Sequence, residues 1–175
     1  MSLNNLTPGR NIPDDLNVII EISAHSTPVK YEVDKDTGLL HVDRFQATSM
    51  IYPFNYGFVP KTLCDDGDPL DMMVLAPFSI YPGSVVRAKP IGVLLMRDEA
   101  GIDPKILAVP VQKLSKLYDN VHDYTDIPIS TRESIEHFFK HYKDLDKGKW
   151  VELQGWQNME KARKIVQEAV SAYQE

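Results

Sequence analysis

The chain has 175 residues, 43% of them apolar and 25% charged, with a formal net charge of −6. These values fit a single folded domain over residues 1–175 and exclude disordered, collagenous and coiled-coil classes. No dense Lys/Arg run offsets the acidity, which counts against nucleic acid. The longest apolar run, around Met72 to Phe78, falls well short of the ~20 residues that cross a bilayer. No basic stretch leads into an apolar one near residue 1, so no secretory signal is visible. Cys64 is the only cysteine, so a reducing, cytoplasmic home is expected.

The first two thirds read as strands. Asn17 to Ile22 is apolar around Glu21, and Lys30 to Val33 alternates, so that Lys30 and Glu32 share one face. Asp34 to Gly38 reads as a turn, with Leu39 to Val42 returning as the hairpin partner. Tyr52 to Gly57 reads as a rigid aromatic loop. Met72 to Leu75, Ser84 to Ala88, Ile91 to Met96 and Ile106 to Val109 are further strands. The period then changes. Ser130 and Glu133 form a capping-box pattern ahead of a helix whose apolar face is Ile135, Phe138, Phe139 and Tyr142. Trp150 to Leu153 is a short strand. Asn158 caps a second helix with the stripe Ala162, Ile165, Val166, Ala169 and Tyr173. Strands followed by helices predict an α+β, mainly β class: a barrel or curled sheet flanked by two helices.

Asp65-Asp66-Gly67-Asp68-Pro69-Leu70-Asp71 places four aspartates in seven residues. Such a run repels itself unless a cation sits among the carboxylates, and carboxylate oxygens suit hard cations such as Mg²⁺. A solvated acidic turn is the other reading. The spacing fits neither an EF-hand loop, since Leu70 and Asp71 stand where an oxygen ligand and Gly are needed, nor the aspartyl-nucleophile phosphatase pattern. A second cluster, Asp98-Glu99-Ala100-Gly101-Ile102-Asp103-Pro104-Lys105, reads either as an acidic hairpin loop or as a site in which Lys105 holds an anionic oxygen. Arg44 can grip an oxyanion, and the Tyr52 and Tyr56 hydroxyls can donate or simply pack in the core. His137 and His141 lie four apart, but Phe138 occupies the place of a zinc-protease Glu, so they read as surface or subunit contacts. Cys64 has no His near it in sequence and reads as structural or incidental.

Taken in order, these residues resemble the family I soluble inorganic pyrophosphatases of the short bacterial type. Asp66-Gly67-Asp68-Pro69-Leu70-Asp71-Met72 is similar to the family signature. The resemblance runs on through Glu21, Lys30-Tyr31-Glu32, Asp43-Arg44, Tyr52 to Gly57, Asp98-Glu99, Asp103-Pro104-Lys105 and His141-Tyr142-Lys143. It implies a five-stranded closed OB-like β-barrel with two main helices, assembled as a homohexamer of two trimers. It implies Mg²⁺-dependent hydrolysis of pyrophosphate to two phosphates, with other divalent ions such as Mn²⁺ as substitutes. By the same resemblance Asp66, Asp71 and Asp103 bind the metals that activate water, and Asp68 is the general base. Asp98 and Asp103 hold a substrate-borne metal, Glu21 and Glu32 serve a further site, and Lys30, Arg44, Tyr56, Lys105, Tyr142 and Lys143 hold the phosphates.

The charges make that chemistry coherent if the residues converge. Seven carboxylates, four cations and a fully ionised pyrophosphate sum to about −7, which three to four divalent ions would roughly cancel. Two other classes stay open at this stage. One is an OB-type module binding single-stranded nucleic acid through its aromatics, which would need a cationic groove. The other is a Mg²⁺-dependent nucleotide hydrolase, for which no base-binding motif stands out.

Overall fold

A computed structural model describes residues 5–173. Ten strands and two helices follow in order: β1 (Gly9–Asn11), β2 (Asp15–Ile22), β3 (Val29–Val33), β4 (Leu40–Phe45), β5 (Asn55–Phe58), β6 (Asp71–Val74), β7 (Val85–Asp98), β8 (Gly101–Ile102), β9 (Lys105–Pro110), α1 (Ile129–His141), β10 (Val151–Gln157) and α2 (Met159–Ala172). Five strands form a ring. β2 pairs with β5, β5 with β6, β6 with β9, β9 with β7, and β7 returns to β2. The β6–β9 contact is the parallel one in this ring, and the others are antiparallel. This is the mainly β, OB-like architecture expected, with a helix against each face of the strands. The β3–β4 hairpin stands apart as its own two-stranded sheet.

Strand residues alternate between two cores, which is why the strands read as near-continuous apolar runs. Met72, Val74, Ile106 and Ala108 pack with Ala162, Val166 and Ala169 of α2. Met73, Leu107 and Val109 pack with Ile135, Phe138 and Phe139 of α1. In β2 the alternation breaks. Ile20 belongs to the first core and Ile22 to the second, because the register against β5 shifts between them. The bulge re-aims Glu21, the residue in between. Gly57 is required opposite it: a Cβ there would lie 1.8 Å from the Ile19 carbonyl oxygen.

Several sequence-based boundaries move. Ser84 to Ala88 and Ile91 to Met96 belong to one strand, β7, which tolerates Pro90 because the pairing with β9 is irregular between Pro90 and Gly92. The aromatic loop contains a fully buried strand, β5. The Ser130/Glu133 capping box does not form. α1 starts at Ile129 with Pro128 as its N-cap, and the Thr131 and Arg132 amides donate to the Pro128 carbonyl at 3.0 and 3.2 Å. Ser130 is therefore already inside the first turn. Asn158 does cap α2, accepting from the Lys161 amide at 3.0 Å. Tyr173 leaves the stripe, since α2 ends at Ala172 and Tyr173 is extended and exposed.

Candidate active site

Strand register brings the two acidic segments together. Asp71 begins β6 and Lys105 begins β9, and the parallel pairing of Met72 with Ile106 sets them side by side at one end of the ring. The Lys105 ammonium, 4% exposed, lies between Asp71 and Asp103, with Asp103 Oδ1 2.6 Å away. Burial works against the charge on Lys105, but Asp71 and Asp103 outweigh it and raise its pKa. The Tyr56 ring lies beneath the same ammonium, its centre 5.7 Å from Nζ, and its phenol lies near Asp71. Burial, then Asp71 and Asp103, push the Tyr56 pKa upward, so the phenol stays a donor. Asp103 is itself raised, by burial first and then by the neighbouring Asp71 and Asp66, with Lys105 opposing.

A second ion-pair group closes the neighbouring wall. Lys143 Nζ donates to Asp98 Oδ2 at 2.7 Å and to Glu99 Oε1 at 3.3 Å, and Lys149 reaches Glu99 at 2.7 Å. Burial raises the carboxyl pKa values, but the lysines win. Asp98 is held below its usual range and Glu99 falls to about 2. Lys143 arrives there because α1 docks through aromatics. Phe138 packs 4.5 Å from Tyr52 and 5.2 Å from Tyr142, ring centre to ring centre. Tyr142 and Lys143 follow directly from the end of that helix.

The third element is the β3–β4 hairpin. Lys30 pairs with Glu32 and lies 3.3 Å from Asp43, and Arg44 lies 3.4 Å from Asp43. Between hairpin and ring is a cavity of about 180 Å³ whose walls include Glu21, Lys30, Glu32, Tyr56, Asp68 and Asp71. Glu21 accepts the Val33 amide at 2.7 Å, yet burial pushes its pKa up to about 8, helped by Asp71 and Glu32 and opposed by that amide and Lys30. The acid loop itself is a tight turn. Asp66 Oδ1 accepts the Asp68 amide at 3.0 Å, and Gly67 sits at φ +88°, where glycine alone is unstrained. Asp66 and Asp68 are exposed.

Most of the residues singled out from the sequence thus line one end of the ring. Asp71, Asp103, Lys105 and Tyr56 are in direct contact, and Asp98 with Lys143 forms an adjacent pair. Glu21, Lys30, Glu32 and Asp68 border the cavity. Arg44 contacts Asp43 on the hairpin, and Tyr142 is electrostatically coupled to Lys105 and Lys143. Sequence reasoning assigned no role to Lys35, which donates to Asp68 Oδ1 at 3.1 Å, or to Lys149. Lys35 lies in a hairpin turn, where a lysine carries no signal. His137 and His141 rings lie 4.6 Å apart, and His141 engages Asp144 at 2.8 Å. Cys64 borders a separate, largely apolar groove of about 370 Å³ under α2, and burial and Asp66 push its thiol up to about 12.

The comparisons with known proteins point the same way. The inorganic pyrophosphatase family profile matches residues 18–174. The chain belongs to the inorganic pyrophosphatase family. It is 56% identical to the inorganic pyrophosphatase of Pseudomonas aeruginosa over 174 residues, covering 99% of both chains. A crystal structure from Anaplasma phagocytophilum, described as an inorganic phosphatase, superposes with a TM-score of 0.96 at 47% identity, over 98% of this chain and 100% of that one. The inorganic pyrophosphatase of Thermus thermophilus does so at 0.93 and 37% identity, over 99% of each chain. Among the described residues, no helix is long and apolar enough to cross a membrane.

Proposed function

We propose that this chain hydrolyses inorganic pyrophosphate to two orthophosphates in a Mg²⁺-dependent reaction. The observation that carries the reading is the buried Lys105 ammonium clasped by Asp71 and Asp103 beside Tyr56. Phosphoryl transfer needs positioned groups and charge neutralisation more than covalent help, and this end of the ring offers both signs of charge at close range. Family membership supports the same reaction.

The donor set fits hard divalent cations, because every candidate ligand is a carboxylate. Among the described residues no three acidic, histidine or cysteine side chains already converge as a cage. Mg²⁺ does not require one, since it keeps several waters and takes one or two carboxylates together with substrate phosphates. Asp66, Asp71 and Asp103 would hold the cations nearest the attacking water, Asp98 and Asp103 the one carried by substrate, and Glu21 and Glu32 a further one. Bound there, Mg²⁺ supplies an acidified water and neutralises the phosphates.

The protein groups supply the rest. Asp68 is exposed at the cavity edge and takes the proton from the attacking water. Lys105, Lys143, Lys30 and Arg44 hold phosphate oxygens electrostatically, and the Tyr56 and Tyr142 hydroxyls donate to them. The balance of charge favours three to four divalent ions with substrate bound. Glu21 tempers that count, because a carboxyl with a pKa of about 8 is largely protonated at pH 7 until a cation arrives. The nucleic-acid reading has no support here, since Tyr52 and Tyr56 are 3% and 7% exposed and cannot stack on bases.

Phosphate release from pyrophosphate and from ATP, across a Mg²⁺ titration, tests the reading. Release from pyrophosphate that requires the metal is expected. Release from ATP alone would make the chain a nucleotide hydrolase. We also propose a cytoplasmic homohexamer of two trimers. Exposed Val42, Phe45, Phe78 and Tyr81 supply apolar surface for subunit contacts, and a monomer by light scattering at micromolar concentration would contradict it.

A further inference from the structure

We propose that Lys35 is an additional substrate-directed residue and the latch of the β3–β4 hairpin, paired with Asp68 and transferred to a substrate phosphate when substrate binds. The proposal rests on the pyrophosphatase reading and deepens it.

Lys35 sits on a firmly built turn. Asp34 Oδ1 accepts from the Thr37 amide at 2.7 Å and the Thr37 hydroxyl at 2.6 Å, and the Gly38 amide donates to the Asp34 carbonyl at 2.8 Å. From that platform Nζ reaches across to Asp68 Oδ1 at 3.1 Å. Lys35 borders the same cavity as Lys30, Glu32 and Asp71. The contact therefore joins the hairpin, which carries Lys30 and Arg44, to the loop that carries the proposed base.

The pair is a poor structural staple. Its side chains are 59% and 73% exposed, and exposed pairs add little to stability. A weak contact across the mouth of a charged cavity is suited to exchange. Lysine is a point charge on a flexible stem with three donors. A pyrophosphate oxygen offers that ammonium a more highly charged partner than one exposed carboxylate does. Moving there binds substrate from the hairpin side and releases the contact on Asp68 Oδ1. No bond other than hydrogen bonds is made or broken.

The test is calorimetric titration of methylenediphosphonate, a non-hydrolysable diphosphonate, into Mg²⁺-loaded wild type, Lys35→Met and Lys35→Arg, beside pyrophosphate kinetics and thermal melts. Lys35→Met should bind the diphosphonate about tenfold more weakly. Its loss in turnover should fall on KM more than on kcat, its melting temperature should match wild type, and Lys35→Arg should recover most of the affinity. Unchanged diphosphonate affinity in Lys35→Met, or a loss that tracks a lowered melting temperature, would overturn the proposal. If wild type hydrolyses pyrophosphate while Lys35→Met binds normally, this proposal alone fails. If wild type does not hydrolyse pyrophosphate, the underlying reading fails and takes this one with it.

Discussion

The two acidic segments differ in how they are built. In Asp65 to Asp71 the carboxylates of Asp65, Asp66 and Asp68 face solvent, held by a tight turn and one exposed lysine. In Asp98 to Lys105, Asp98 is buried, Asp103 half-buried and Glu99 exposed, and each has a lysine: Asp98 with Lys143, Glu99 with Lys149, Asp103 with Lys105. On the proposed reading, the first supplies candidate ligands for cations. The second is a set of carboxylates already paired with lysines, so a cation proposed at Asp98 or Asp103 would share them with Lys143 or Lys105. Asp71 belongs to both, because it ends the first segment and pairs with Lys105 of the second.

That contrast can be broken most forcefully at Lys105. Lys105→Met strips the partner from two shielded carboxylates. It should cost about 3 kcal/mol in urea unfolding of the metal-free protein, since removing one member of a buried pair strands the other. A cost near zero would mean that the second segment is no more pre-neutralised than the first.

Glu21 gives the next largest effect, and its sign follows from burial. Its carboxyl binds a proton in the folded chain up to about pH 8 but in the unfolded chain only up to about 4.5. The stabilisation is fully present below pH 4.5 and is lost as pH climbs through 8. Metal-free Glu21→Gln should therefore flatten that slope and gain about 2 kcal/mol on wild type between pH 6 and pH 8, because the amide oxygen can still accept from Val33. Thermal melts at pH 6 and pH 8 read both changes.

A smaller effect is expected at Gly67. A Cβ there meets nothing within 4 Å, so Gly67→Ala costs only the left-handed backbone, about 1 kcal/mol. Its Mg²⁺ affinity should fall more than its stability does, because the turn aims Asp66 and Asp68. Calorimetry beside melts would separate the two.

Which parts of this were legible in the sequence has a physical pattern. The acid loop was, because its carboxylates are adjacent in the chain. The two-helix, mainly β class was, because period 2 gives way to period 3.6 after residue 130. The Asp71–Lys105 contact depends on a parallel pairing between residues 34 apart, which no local pattern encodes, and only the resemblance to the family anticipated a shared site. Glu21's burial follows from a bulge, and a one-residue register shift leaves no mark in composition. The spacing of Ser130 and Glu133 misplaces the start of α1, whereas Pro128, at ψ 138° outside the helical region, sets the boundary.

On the proposed mechanism the exposed segment supplies both metal ligands and a base, and Asp68 is the base. The direct test is the pyrophosphate turnover of Asp68→Asn under saturating Mg²⁺, measured beside its Mg²⁺ affinity by calorimetry. A fall in kcat of at least about a hundredfold is expected, with metal affinity within a few-fold of wild type and stability changed by less than about 0.5 kcal/mol. Equal losses of turnover and metal affinity would contradict it and make Asp68 one more ligand.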